Sequence, residues 1–188
     1  MKTKGMIDNR QNGLVGDALK AHITKGSKLS IAAAHFTLYA FAQLKKELAQ
    51  IDEFRFYFTE PAFVRGDRSF NEWMKKNEAA LYGVEEERKY KIELNQAYIA
   101  RELAKWLKQK ARVKSVVNQR IQGSLYHVRN EDGSQIGLIG GAPFSSPGLG
   151  YSNSSHFYFT HMMNDRDSSA QLLCQLRRFG KMNRRCKM

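Results

Sequence analysis

The chain has 188 residues, 42% hydrophobic and 11% aromatic, and its 31 Lys plus Arg against 18 Asp plus Glu give a formal net charge of +13. That length suits one domain with a sizeable core, and no apolar run reaches the ~18 residues a membrane helix needs. Cys174 and Cys186 are too few for a disulfide framework or a zinc site, so no cofactor is expected. The N-terminal Met1-Lys2-Thr3-Lys4-Gly5 lacks a signal peptide's apolar stretch, so a cytoplasmic location is expected.

In chain order the pattern alternates helix and strand. After Ile7-Asp8-Asn9, the apolar residues Leu14, Val15, Ala18, Leu19 and Ile23 recur with His22 at helical spacing, predicting a helix that ends near Gly26. Lys28 to Phe36 reads as a buried strand, and Leu38, Phe41, Leu44 and Leu48 mark a second helix. Phe54, Phe56 and Phe58 alternate with Arg55 and Tyr57 as a second strand. From Glu60 to Tyr90, Pro61, Gly66 and Gly83 surround a short helix carrying Phe70, Trp73, Met74 and Leu81, in the manner of an insertion or lid. Asn95 is placed to cap a helix running to about Lys110, with Ile99, Leu103, Trp106 and Leu107 as its apolar stripe and Trp106 in the core. Val113 to Val117 is a strand leading through Gln119 and Arg120 towards the last hairpin. No internal repeat or low-complexity linker divides the chain. The domain is assigned to residues 1–150, and residues 151–188 complete or trail it as a basic strand (His156 to Phe159) and helix (Ser169 to Phe179).

The hairpin register follows from its turn. Asn130, Glu131, Asp132 and Gly133 carry turn chemistry, with Asp-Gly the strongest short-range hairpin signal. Strands folded about it set Gly140 opposite Ser124, Ala142 opposite Gln122, and His127 opposite Gly137. His127 then lies three residues, roughly 10 Å, along the strand from Gly140.

The segments Ile121-Gln122-Gly123-Ser124-Leu125-Tyr126-His127-Val128 and Ile139 to Gly150 resemble the signature hairpin of the phospholipase D-like phosphodiesterases. The form is that found ahead of Swi/Snf-type and other superfamily 2 helicases. Ile7-Asp8-Asn9, Ala32-Ala33-Ala34-His35-Phe36 and Phe144 to Gly150 carry the same likeness. It implies an α/β/α sandwich with a mixed central sheet. In that family a His-x-Lys pair meets a Gly-Ser-x-Asn turn, and the histidine attacks phosphorus. On this match Gln122 holds the nucleophile position, Ser124 the lysine position, and Gly141, Ala142 and Pro143 replace Ser-Ser-Asn. A phosphohistidine route needs imidazoles to attack and to protonate the leaving oxygen, and donors for the charge that builds on oxygen. A carboxamide and a hydroxyl supply neither the imidazole nor the cation, so a degenerate site is expected. His127, followed by Arg129, is the alternative nucleophile, and His35 is read either as approaching the cleft or as a packed histidine.

The charge excess points to a polyanion, because neutralising phosphates releases counterions without sequence readout. About five of the thirteen charges lie beyond Met163, where seven basic residues face Asp165 and Asp167. The resemblance implies DNA as partner, a helicase partner or downstream helicase domain, and a homodimer completing one site. Gly140 and Gly141, with Arg129, Lys114 and Arg120, are the candidate phosphate contacts. The family commonly continues with an Asn-x-Glu-Leu-Asn strand and an acidic helix, where this chain reads Ser154-Ser155-His156-Phe157-Tyr158-Phe159-Thr160 and a basic tail. A truncated or frame-altered end is the expectation there. Three functions remain open: a non-catalytic DNA- or partner-binding accessory module of a bacterial helicase or restriction/defence system, a metal-independent dimeric nuclease, and a purely structural interaction domain.

Overall fold

The computed structural model describes residues 5–58, 96–116 and 122–181. Their elements are β1 (Met6–Ile7), α1 (Val15–His22), β2 (Lys28–Ala33), α2 (Leu38–Gln43), α3 (Lys45–Gln50), β3 (Glu53–Phe58), α4 (Gln96–Lys110), β4 (Ala111–Ser115), β5 (Ser124–Arg129), β6 (Gln135–Gly140), α5 (Ser146–Leu149), β7 (Thr160–Met163) and α6 (Arg166–Lys181). Seven strands make one mixed sheet in the order β1-β7-β6-β5-β2-β3-β4. β2, β3 and β4 run parallel, and all other pairings are antiparallel.

Period-2 side-chain alternation divides the strands between two apolar clusters. Leu29, Ile31, Phe54, Phe56, Tyr126, Val128, Ile136 and Leu138 join the larger cluster with residues of α1 to α5. Their neighbours Ala32, Tyr57 and Leu125 join Leu172 and Leu176 of α6 in the smaller one. Trp106 is buried in the larger cluster, and its indole N–H donates to Leu48 O at 2.8 Å. Phe54 and Phe41 pack on its ring at centroid distances of 4.9 and 5.3 Å. Phe36, just past β2, stacks on Phe144 at 5.0 Å, while Thr37 N–H donates to Phe144 O at 3.0 Å. These contacts fasten the end of β2 to the loop that follows β6.

Several boundaries differ from the sequence expectation: β2 ends at Ala33 and not at Phe36, and the last helix spans Arg166–Lys181 and not Ser169 to Phe179. The helix expected through Leu38 and Leu48 is two helices, because Leu44 leaves helical geometry (φ −109°, ψ 12°) while remaining fully buried. β4 begins at Ala111, directly after α4, where Lys110 Nζ donates to the carbonyls of Ala49 and Ile51 that end α3. The final strand is Thr160–Met163 and not His156 to Phe159, because β6 ends at Gly140 and Gly140 pairs with Thr160. Residues before Thr160 lie past the last rung that β6 offers. Asn95, Val117 and the segment from Glu60 to Tyr90 lie outside the described residues.

Asn9 joins three parts of this framework. Its backbone is left-handed (φ 56°), a region that asparagine tolerates better than most residues. Its Oδ1 accepts from Val15 N–H at 2.9 Å, at the start of α1, and its Nδ2 donates to Gly148 O at 2.7 Å, in α5. Asn9→Ala loses both bonds and adds left-handed strain, and is expected to cost about 2–3 kcal/mol. Asn9→Gly relieves the strain and should cost less, a ranking that denaturant melts of both variants would test.

Candidate functional site

The β5–β6 ladder pairs Ser124 with Gly140 and His127 with Gly137, the register drawn from the turn chemistry. The row continues across the sheet, because Gly140 also pairs with Thr160, and Thr160 with Ile7. Ser124, Gly140, Thr160 and Ile7 therefore stand abreast at one end of the sheet. β2 and β3 finish at this end, so it is the carboxyl edge of the parallel strands, where open α/β sheets bind ligands.

The row is tightly packed and uncharged. A Cβ on Gly140 would lie 2.1 Å from Phe159 O and 2.8 Å from Thr160 Oγ1, so only glycine fits there. Gly123 has φ +101°, and its Cβ would sit 2.7 Å from Gly140 O. Ser124 is buried, whereas Gln122 is exposed two residues ahead of it, before β5 begins. Thr160 Oγ1 is buried and has no hydrogen-bond partner among the described residues. Tyr126 donates its hydroxyl to Ala142 O at 2.6 Å, and complete burial pushes its pKa up, so it stays a neutral donor. This bond fixes the loop carrying Ala142 and Pro143 against β5.

The structure gathers some of the predicted residues and separates others. Gln122, Ser124, Gly140 and Gly141 lie together, and half-buried His35 follows β2 at the same edge. Gly141 N–H donates to Phe159 O at 3.0 Å. The Gly141 amide, one of the donors expected to meet a phosphate, is thus bonded within the protein. Arg129 pairs with Gln135 and Lys28 at the opposite end of the sheet, and Lys114 sits on β4 opposite Tyr57. Neither lies in the Ser124–Gly140 row. Arg120 is outside the described residues.

His127 points the other way from Tyr126, onto the face that carries α6. It is 1% exposed, and its Nε2 has no partner among the described residues. Burial pushes its pKa down to about 4, the nearby charges of Arg177 and Arg129 push the same way, and only Gln135 opposes them. A neutral, enclosed imidazole three residues from the row is poorly placed to attack a phosphodiester.

Sequence reasoning missed a second feature at this edge. An open cavity of about 510 Å³ lies between Asp8, Asn9 and Arg10 on one side and the loop from Gly150 to Tyr158 on the other. The run His156-Phe157-Tyr158-Phe159 was its signal, but aromatic residues in a row also read as a strand. Among the described residues, no group of three or more His, Cys, Asp or Glu side chains is gathered to hold a metal ion.

No family model and no curated protein matches the chain. Among solved structures it is similar to NucT from Helicobacter pylori, a phospholipase D-family protein, at 12% identity over 94% of each chain with a TM-score of 0.51. The chain has a phospholipase D-like fold. Among the described residues no helix is long and apolar enough to cross a membrane.

The buried His127 gives a pH signature. Between its folded value near 4 and its ordinary value of 6.5, the unfolded chain binds the proton and the folded chain does not. Stability therefore rises with pH through that window and falls on acidification, by at most about 3 kcal/mol for this one group. The melting temperature should drop more between pH 7 and pH 4.5 for the native chain than for His127→Leu. Equal drops in calorimetry of the two proteins would refute this assignment.

Proposed function

We propose that the protein is a phospholipase D-like module that has lost catalysis and binds nucleic acid, most naturally DNA, in the company of a helicase or restriction/defence system. The observation that carries this reading is the Ser124–Gly140 rung with Gln122 beside it. Where the family's chemistry needs an imidazole and an ammonium, this chain offers a carboxamide and a buried hydroxyl. Placement of apolar clusters on alternate residues of β5 supports the layered α/β/α arrangement of the family. NucT is a nuclease of that family, and the net charge of +13 suits a phosphate backbone. The same resemblance carries the expectation of pairing with a second copy.

Two assays test this. The purified protein should not cleave a bis-aryl phosphodiester or DNA in EDTA, and a Gln122→His, Ser124→Lys variant that gained cleavage would support the site assignment. Native cleavage abolished by His127→Ala would replace this reading with an enzymatic one. Binding to labelled DNA should weaken steeply with salt, log Kd rising about 0.7–0.9 per phosphate contacted for each tenfold increase in salt. No binding even at low ionic strength would leave an interaction domain whose charge serves solubility.

A further inference from the structure

We propose that the cavity beside Arg10 and the aromatic run from His156 to Phe159 form a stacking platform for single-stranded nucleic acid. This rests on the nucleic-acid reading above and narrows it to one form of ligand.

The run presents apolar surface to solvent. Phe157 and Phe159 are 51% and 57% exposed, and their rings meet at 5.1 Å. His156 and Tyr158 stack with ring centroids 6.2 Å apart and planes 21° from parallel. Four consecutive ring-bearing residues thus leave the sheet as a loop immediately before β7. The Arg10 guanidinium lies over the Phe157 ring at 4.3 Å, which holds a cation on the platform. Base faces stack on such rings whatever the sequence, and a duplex conceals those faces while a single strand exposes them.

The cavity fits a base better than it fits a phosphate or a lipid chain. Its volume of about 510 Å³ falls in the range of small-molecule sites, about 300–1,000 Å³. Ser152, Asn153 and Ser154 line it, so its wall is polar. Asp8 also lines it. The Asp8 carboxylate accepts from Asn12 N–H and Arg10 N–H, both at 2.9 Å, and these bonds keep it ionised. That negative charge repels phosphate from the interior while accepting N–H groups of a base. Arg10, which lines the cavity and rests on the Phe157 ring, is the cation placed to meet the backbone.

The platform is continuous with the Ser124–Gly140 row. Gly141 N–H is bonded to Phe159 O, and a Cβ on Gly141 would lie 4.0 Å from the Tyr158 ring. A strand whose bases rest on the aromatic run would pass its phosphates along the glycine edge, where an active relative would cut.

Fluorescence anisotropy with a labelled oligothymidylate and a duplex of equal length tests this. The native chain is expected to bind the single strand more tightly, and Phe157→Ala with Phe159→Ala should weaken that binding by about 5- to 160-fold for each base unstacked while changing duplex affinity less than about twofold. Phe157→Tyr with Phe159→Tyr retains both rings and should retain the affinity. Arg10→Ala should lower the salt slope by about one. If the native chain binds both forms but the alanine pair loses nothing, or loses equally on both, the platform is overturned and the nucleic-acid reading stands. If it binds neither form, the broader reading falls with it. Both phenylalanines are exposed, and unchanged circular dichroism and melting of each variant would exclude misfolding.

Discussion

Everything at the candidate site hangs on the register of β5 against β6. A one-residue slip of β5 would move Tyr126 and Val128 out of the larger apolar cluster and send Leu125 and His127 into it. The turn prevents this. Gly133 N–H donates to Asn130 O, Asn130 N–H donates to Ser134 O, and Asp132 Oδ1 accepts from Ser134 N–H. Asn130 also reaches into the body of the protein, donating to His22 O at 3.0 Å and accepting from Ser27 Oγ at 2.5 Å. The hairpin is therefore locked at its closed end to the segment between α1 and β2. The row of Ser124, Gly140, Thr160 and Ile7 is the far-end consequence of that lock.

Such a framework does not depend on reactive groups at its edge. The residues that hold β5 and β6 in place are apolar side chains on alternate positions and the hydroxyl of Tyr126, none of which attacks a phosphodiester. Gln122 lies outside the ladder and makes no contribution to its register. Fold and chemistry can be separated here because they rest on different atoms. The edge of the sheet is a surface flanked by the exposed aromatic loop that precedes β7.

The contrast between His127 and His156 shows how position decides the use of a side chain. Each has a tyrosine within two residues, and His127 is also followed at two residues by Arg129. His127 is enclosed beneath α6, where burial and nearby arginines keep it neutral, and its part in the molecule is packing with a cost at low pH. His156 is exposed on the loop before β7, stacked on Tyr158 at the mouth of the cavity. Period-2 alternation and the end of a neighbouring strand make that difference, not the residue type.

The sequence by itself determined the α/β alternation, the burial of Trp106, and the pairing of Ser124 with Gly140, because each is written in local periodicity or in the chemistry of a short turn. It misplaced β7, since apolar letters from His156 to Phe159 do not reveal that β6 ends at Gly140 and has no rung left for them. It could not show that Gly141 N–H is already bonded to Phe159 O, nor that Arg129 lies at the far end of the sheet from the glycines. The cavity between Asp8 and Tyr158 was equally hidden, for it depends on contacts such as Asn9 with Gly148, 139 residues apart in the chain. Long-range closure of this kind leaves no period in a sequence, and only the packed sheet brings its two sides together.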